Sequence, residues 1–373
     1  MSIKNEIPAA GTSPVMDRRS LLVAAGVGAA AVGGMSFASA PGAFAAGGDG
    51  SGKGGPDNWY TSNKVVVEKV SFDNQYKMSI TGNLFKPKGL NERKAHPAIV
   101  VGHPMGAVKE QSSNLYATKL AEQGFVALAI DQSFWGESEG QPRQAVLPDV
   151  YTEAFMAAVD FLGTRKFVDR ERIGALGICG SGSIVISAAK LDPRMKAVAT
   201  VSMYDMGSVN RSGLNHSQSV EQRKQILAQA AEQRYTEFTG GETPWAGGTP
   251  HEVDENSSDI EREFYDFYRT PRGEYTPDSA TPESTTHRKL SAETKFINFY
   301  PFNDIETISP RPMLFISGDQ AHSREFSQDA FARAAEPKEL YWVPGAGHVD
   351  LYDDTSRIPF DKLTGFFDKH LAA

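Results

Sequence analysis

Cysteine is almost absent: Cys179 is the single one in 373 residues. An intrachain disulfide is therefore excluded, and a functional thiol must act alone or with histidine rather than in a CxxC pair. A thiol–disulfide redox cycle is excluded with it, because no resolving cysteine exists within the chain. Excess positive charge is missing too. The formal net charge is −8 and no basic stripe interrupts it, which argues against nucleic acid or an anionic membrane as partner. Nor is there an apolar run suited to a stable membrane anchor, since the Ala/Gly-rich stretch to about Ala40 is broken at Gly33-Gly34. What remains is 40% hydrophobic and 23% charged. That is enough to bury a large core, and it fits one large domain with an insertion better than two equal domains.

The amino terminus carries its own signal. Asp17-Arg18-Arg19-Ser20-Leu21-Leu22 opens the weakly apolar stretch, and Ala43-Phe44-Ala45 has the form of an A-x-A cleavage site. Twin arginines in that setting are the bacterial twin-arginine export pattern. Residues 1–46 are thus expected to be a signal peptide and the mature protein periplasmic or extracellular, with a retained anchor as the alternative. Residues 47–62 read as a flexible tether.

The rest alternates. Residues 64–70 and 77–85 have the pattern of an antiparallel pair, and 96–102 and 125–130 that of buried parallel strands. Helices are expected at 112–123 and 147–164, then a strand ending at Ile178, a small-residue helix at 183–190 and a strand at 197–203. The βα rhythm stops near Met206 and resumes with strands at 312–317 and 339–343 and helices at 323–335 and 359–370. The expectation is an α/β fold, a mostly parallel central sheet flanked by helices. Residues 63–205 and 301–373 form its two parts, and 206–300 is an inserted lid or, alternatively, a solvated decoration. An insertion leaving the carboxyl ends of strands stands where such sheets bind ligands.

The densest information lies in RIGALGICGSGSIVISAAK, residues 172–190. A β-type run turns through glycines into a helix, with Cys179 at the corner, which is the layout of a nucleophile elbow. The unpaired N–H groups of a helix start favour a thiolate and a developing oxyanion. The plainer reading is a buried structural cysteine. Two partners stand in the order nucleophile, acid, histidine: Asp319 at the end of MLFISGD and His348 in VPGAGHVD. Oxyanion donors are expected from the backbone N–H of Gly180 and, since Pro104 has none, of Met105. His103 reads as a structural partner of that loop.

With these residues in view, the chain resembles the α/β hydrolases, specifically the dienelactone-hydrolase-like branch in which cysteine replaces the elbow serine. The matching pieces are GHPMGAVKEQ (102–111), DQSFWGESEGQPR (131–143), LGICGSG (176–182), SGD (317–319) and VPGAGHVDLYD (343–353). The resemblance implies a Cys179–His348–Asp319 triad, no cofactor or metal, and hydrolysis or transfer of acyl groups on a small-molecule substrate. It is also similar to fungal enzymes that transfer polyketide acyl chains. Two departures stand out. Ser181 replaces the first of the paired glycines in G-x-C-x-G-G, which leaves a register with Ser181 as nucleophile open. Ala321 and His322 occupy the places where the acid usually stands, so Asp205 is an alternative to Asp319. In this superfamily the loop carrying Glu137 approaches the nucleophile. Glu137 is accordingly a candidate for raising the thiol's pKa, or simply a surface acid.

Because thiolate leaves a tetrahedral intermediate more readily than an amine does, esters, lactones and thioesters are favoured over amides. A secreted acyl hydrolase is expected first, an acyltransferase on the same triad second. A catalytically silent binding protein is third.

Overall fold

The computed structural model describes residues 55–372. The twin-arginine segment and the first part of the expected tether lie outside them. From 55 onward the tether expectation is corrected, because that stretch is docked. Pro56 bridges Asp354, the Asp57 N–H donates to the Asp353 carbonyl at 2.9 Å, and the Trp59 indole donates to the Pro271 carbonyl at 3.0 Å.

Strands β1 (Val65–Asp73) and β2 (Ser79–Pro87) form an antiparallel hairpin. They are followed by β3 (His96–Gly102), β4 (Val126–Ile130), β5 (Val168–Ile178) and β6 (Met195–Val201). The last two are β7 (Met313–Gly318) and β8 (Lys338–Val343). Across the sheet the order is β1-β2-β4-β3-β5-β6-β7-β8, and every pairing from β4 to β8 is parallel. Burial explains the pattern. Every residue of β4 and β7 is buried, as a strand covered on both faces by helices requires, whereas the edge strand β1 keeps much of its length in solvent. Each fully buried Val, Leu or Ile contributes about 1.5–3 kcal/mol over leaving it exposed.

The covering helices are α1 (Ser113–Glu122), α2 (Pro148–Gly163), α3 (Ser181–Leu191), α7 (Arg324–Arg333) and α9 (Phe360–His370). Residues 206–300 run between β6 and β7, which are nevertheless direct parallel neighbours. This excursion holds α4 (Met206–Ser212), the largely exposed α5 (Val220–Phe238) and α6 (Asp259–Tyr268). A capping box between Ser258 and Glu261 starts α6, satisfying two otherwise orphaned N–H groups. Its inner face packs Phe267 and Tyr268 against Tyr352, with ring centroids 5.2 and 6.2 Å apart. Arg272, just beyond it, pairs with the buried Asp353 at 2.7 Å.

The bend between β5 and α3 leaves no room for side chains. A Cβ on Gly177 would stand 2.3 Å from the Ser181 carbonyl oxygen, and one on Gly182 the same distance from the Met203 Cβ. Since the obstacle at Gly177 is backbone, it has nowhere to go. Gly177→Ala is expected to lower unfolding free energy by about 2 kcal/mol or more, read from urea unfolding. A change below about 0.5 kcal/mol, the size of an ordinary surface substitution, would show that the elbow relaxes.

Candidate active site

β5 delivers Cys179 into the turn. Its backbone is forced to φ +52°, a left-handed conformation that non-glycine residues rarely adopt, while its N–H is held by the Val201 carbonyl at 3.0 Å. The side chain is almost sealed, 5% exposed. Burial pushes the thiol up to about 11. The Tyr352 hydroxyl and the N–H groups of Gly180 and Met105, close to the sulfur, pull the other way without overcoming it. Cys179 therefore rests as a neutral thiol, and the two N–H groups expected to serve an oxyanion converge on its sulfur.

His348 is fully buried, and burial, with His322 alongside, holds its pKa well below the ordinary histidine value. The imidazole is gripped at both nitrogens: Nδ1 lies 2.6 Å from Ser323 Oγ and Nε2 lies 3.0 Å from the Tyr352 hydroxyl. Tyr352 hydrogen-bonds the Cys179 side chain as well. Burial raises its own pKa far above the usual value, so it keeps its proton. Phenol, imidazole and the Ser323 hydroxyl form one hydrogen-bonded run, and the thiol stands at its Tyr352 end. A consistent assignment has the thiol donating to Tyr352 Oη, Tyr352 to His348 Nε2 and His348 Nδ1–H to Ser323.

The acid is where expectation and structure part. Asp319 turns to the histidine loop's backbone, accepting from the Gly345 N–H at 2.8 Å and from Gln320 Nε2 at 3.1 Å. Asp205 caps α4, accepting from the Ser208 N–H at 2.7 Å, and burial lifts its pKa to about 6. Among the described residues, no carboxylate hydrogen-bonds a ring nitrogen of His348. The pairing of Asp319 with His348 is corrected accordingly. Following Gly318 directly, Asp319 is still bound to the end of the strand, whereas Ser323, at the start of α7, reaches the imidazole.

Three further residues singled out in the sequence have definite partners. Ser181, fully buried, donates its hydroxyl to the His103 carbonyl at 2.5 Å, and the positive φ belongs to Cys179 rather than to it. His103 accepts from the Gln132 N–H through Nε2 at 3.1 Å and so donates from Nδ1 to the Pro104 carbonyl at 2.8 Å, which fixes its tautomer and its loop. Glu137 is bound by Lys109 at 2.6 Å and by Lys69, and its backbone N–H is held by Asp131. It braces its own loop, not the thiol.

Sequence reading missed Tyr352, Ser323 and the residues α6 lays over the site. Tyr352 carried a usable signal, since it follows His348 by four residues, the spacing that faces two side chains together on a helical turn. No carboxylate pattern marks Ser323. Tyr204 and Phe264 complete the enclosure, edge-on to the His348 ring at 5.1 and 5.6 Å. A groove lined by Gly106, Phe134, Trp135, Tyr275 and Thr286 opens beside the loop that follows β3, and Cys179 is not among its lining residues.

Comparison with known proteins agrees with this architecture. The dienelactone hydrolase family pattern matches residues 80–235. PA2218, an uncharacterized protein of Pseudomonas aeruginosa, is 47% identical over 310 residues, 83% of this chain and 82% of its own. The crystal structure of PA2218 superposes with a TM-score of 0.79, covering 84% of this chain and 96% of that one. More distant relatives include the thiohydrolase aneE of Aspergillus aculeatus, 27% identical over 68% of this chain and 79% of its own length. The polyketide transferase claH of Penicillium crustosum is 25% identical over 76% and 91%.

The neutral thiol has a direct consequence. Thiolate absorbance in the ligand-free protein is expected to rise with a midpoint near 11 and to show no plateau around pH 7. A midpoint below 8 would mean a resting thiolate–imidazolium pair instead.

Proposed function

Because the chain belongs to the dienelactone hydrolase family of α/β hydrolases, we propose that it is an exported acyl hydrolase using Cys179 as nucleophile, with carboxylic esters, lactones or thioesters as substrates. The observation that carries this is the placing of the Cys179 thiol beside the Tyr352 hydroxyl, which meets His348 Nε2 at 3.0 Å, with the Gly180 and Met105 N–H groups close to the sulfur. As a substrate carbonyl enters, the thiol proton moves to Tyr352 Oη while the phenol's proton passes to His348 Nε2. Sulfur forms its bond to the carbonyl carbon, and the carbonyl electrons collect on oxygen beside the two N–H groups. Donors so placed contribute roughly 3–4 kcal/mol each to the transition state. Collapse breaks the bond to the leaving group, which takes the proton back from His348 and leaves a thioacyl-enzyme. Water then repeats the cycle and releases the acid.

Ser323 can accept from Nδ1–H, which leaves Nε2 free to accept, the tautomer that this needs. It does not stabilise an imidazolium as a carboxylate would, so a proton that passes quickly through His348 suits the site better than one that rests there. The sealed thiol requires α6 to lift for substrate entry. An acyltransferase reading has support in the likeness to claH, and it differs only in an alcohol or amine taking the place of water.

Turnover of p-nitrophenyl acetate and of a short acyl thioester by the full chain tests the reading. Cys179→Ala is expected to abolish it, Ser181→Ala to keep most of it, and Tyr352→Phe to cost about 10²–10⁴-fold, the usual range for losing proton transfer. Loss of activity in Ser181→Ala with Cys179→Ala active would overturn the assignment. The acids are separated in the same assay. Asp319→Asn is expected to stay within about threefold of the parent and Ser323→Ala to fall about tenfold or more. The reverse order would restore the carboxylate triad.

A further inference from the structure

The proposed site lacks a carboxylate on His348, yet a carboxylate reaches the same loop from the opposite side. Glu263 projects from α6, within the excursion that covers the site. Its Oε1 accepts from the Val349 N–H at 2.7 Å and its Oε2 from His322 Nδ1 at 3.0 Å. Val349 follows His348 directly. The His322 ring lies against the His348 ring, centroids 4.7 Å apart and planes 32° from parallel. Gly347, immediately before His348, has no side chain for a reason: a Cβ there would stand 2.9 Å from Glu263 Oε1. Phe264, the next residue on α6, sets its edge against both imidazoles at 5.6 Å.

Burial pushes the Glu263 carboxyl up, but the hydrogen bonds from His322 and the loop backbone outweigh it and hold the group below its ordinary value. It is an anion clamped on the loop backbone at Val349 and on the neighbouring His322 ring. With Nδ1–H given to Glu263, His322 leaves Nε2 as a buried acceptor without a hydrogen-bond partner. Ordering two histidines around one carboxylate costs rotamer and backbone freedom. Only the closed position of α6 brings the group that offsets it.

We propose that Glu263 is a positioning residue supplied by the lid: it fixes the His348 loop and, through His322, the plane of the His348 ring, so that the base is aligned only while α6 covers the site. This rests on the hydrolase reading for its catalytic meaning, but the alignment itself is a property of the resting protein and can be read without substrate. Closure and competence become one event, since the helix that excludes water also sets the imidazole against Tyr352.

The experiment is nitrogen-detected NMR of histidine-labelled full chain, with the His348 signals assigned by His348→Gln, on the parent, Glu263→Ala and Glu263→Gln. Circular dichroism confirms that each variant is folded. In the parent, His348 is expected to show a single neutral tautomer. In Glu263→Ala its two nitrogens should average toward a mixed state. In Glu263→Gln the effect should be smaller, because the amide oxygen can still accept from Val349 while losing the charge. Where the parent turns over ester or thioester, kcat should fall about tenfold or more in Glu263→Ala with KM within about threefold, the split expected when geometry rather than binding is lost. An unchanged His348 tautomer in both variants overturns the positioning role, whatever the turnover. A mixed tautomer with unchanged kcat overturns it as well, leaving Glu263 a structural clamp. A parent inert toward both substrates, combined with the expected NMR change, would sink the hydrolase reading and leave the positioning of His348 standing.

Discussion

Everything about this site follows from keeping a thiol uncharged in a dry chamber. Removing a cysteine from water penalises its thiolate, and the surrounding polar contacts do not repay that penalty at rest, so the thiol stays protonated. The imidazole beside it is subject to the same constraint with the opposite sign, and burial keeps it neutral too. A pair of charges in such a place would need several kcal/mol of compensation. Two neutral groups joined by a neutral phenol need none, and in the proposed cycle charge appears only when a carbonyl arrives to receive it beside the two N–H groups.

That constraint also makes sense of the missing acid. A carboxylate on His348 Nδ1 would favour an imidazolium inside the chamber. Ser323 orients the ring without doing so. Negative charge is instead placed one layer out, on Glu263, where it can hold backbone and a second histidine rather than the base itself. It arrives on α6, so the same element that dries the chamber brings the alignment. Arg272, pairing with buried Asp353 at the far end of α6, ties that element to the short helix α8 (Asp350–Asp353) that carries Tyr352. The excursion and the helix that carries Tyr352 are thus tied directly.

Most of the sheet was legible before any coordinates. Buried parallel strands are written as continuous apolar runs: HPAIVVG reads directly as β3, and MLFISG differs from its expected bounds by a single residue. The elbow was legible because its demands are local. Only glycine fits at 177, where a Cβ would meet the Ser181 carbonyl, and the other small residues of the run mark the same tight turn. What could not be read was reach. Asp319 has the right chain order and the right strand end, yet its carboxylate turns to the Gly345 amide, four residues short of where Ser323 meets the ring. The helix α6 has a plain local signal, since Ile260, Phe264, Phe267 and Tyr268 recur at helical spacing behind the Ser258–Glu261 capping box. Its destination has none: the partners of that face, Tyr352, His348 and His322, lie more than fifty residues away in the chain.

The most direct single measurement is intact-mass analysis of the full chain, quenched in acid within the first turnovers on p-nitrophenyl acetate and followed by peptide mapping. A single acetyl group on Cys179, absent from Cys179→Ala and decaying on the timescale of turnover, is the expected result. Acetyl on Ser181, or turnover with no adduct on the peptide containing Cys179, would contradict the thiol chain on which the site has been built.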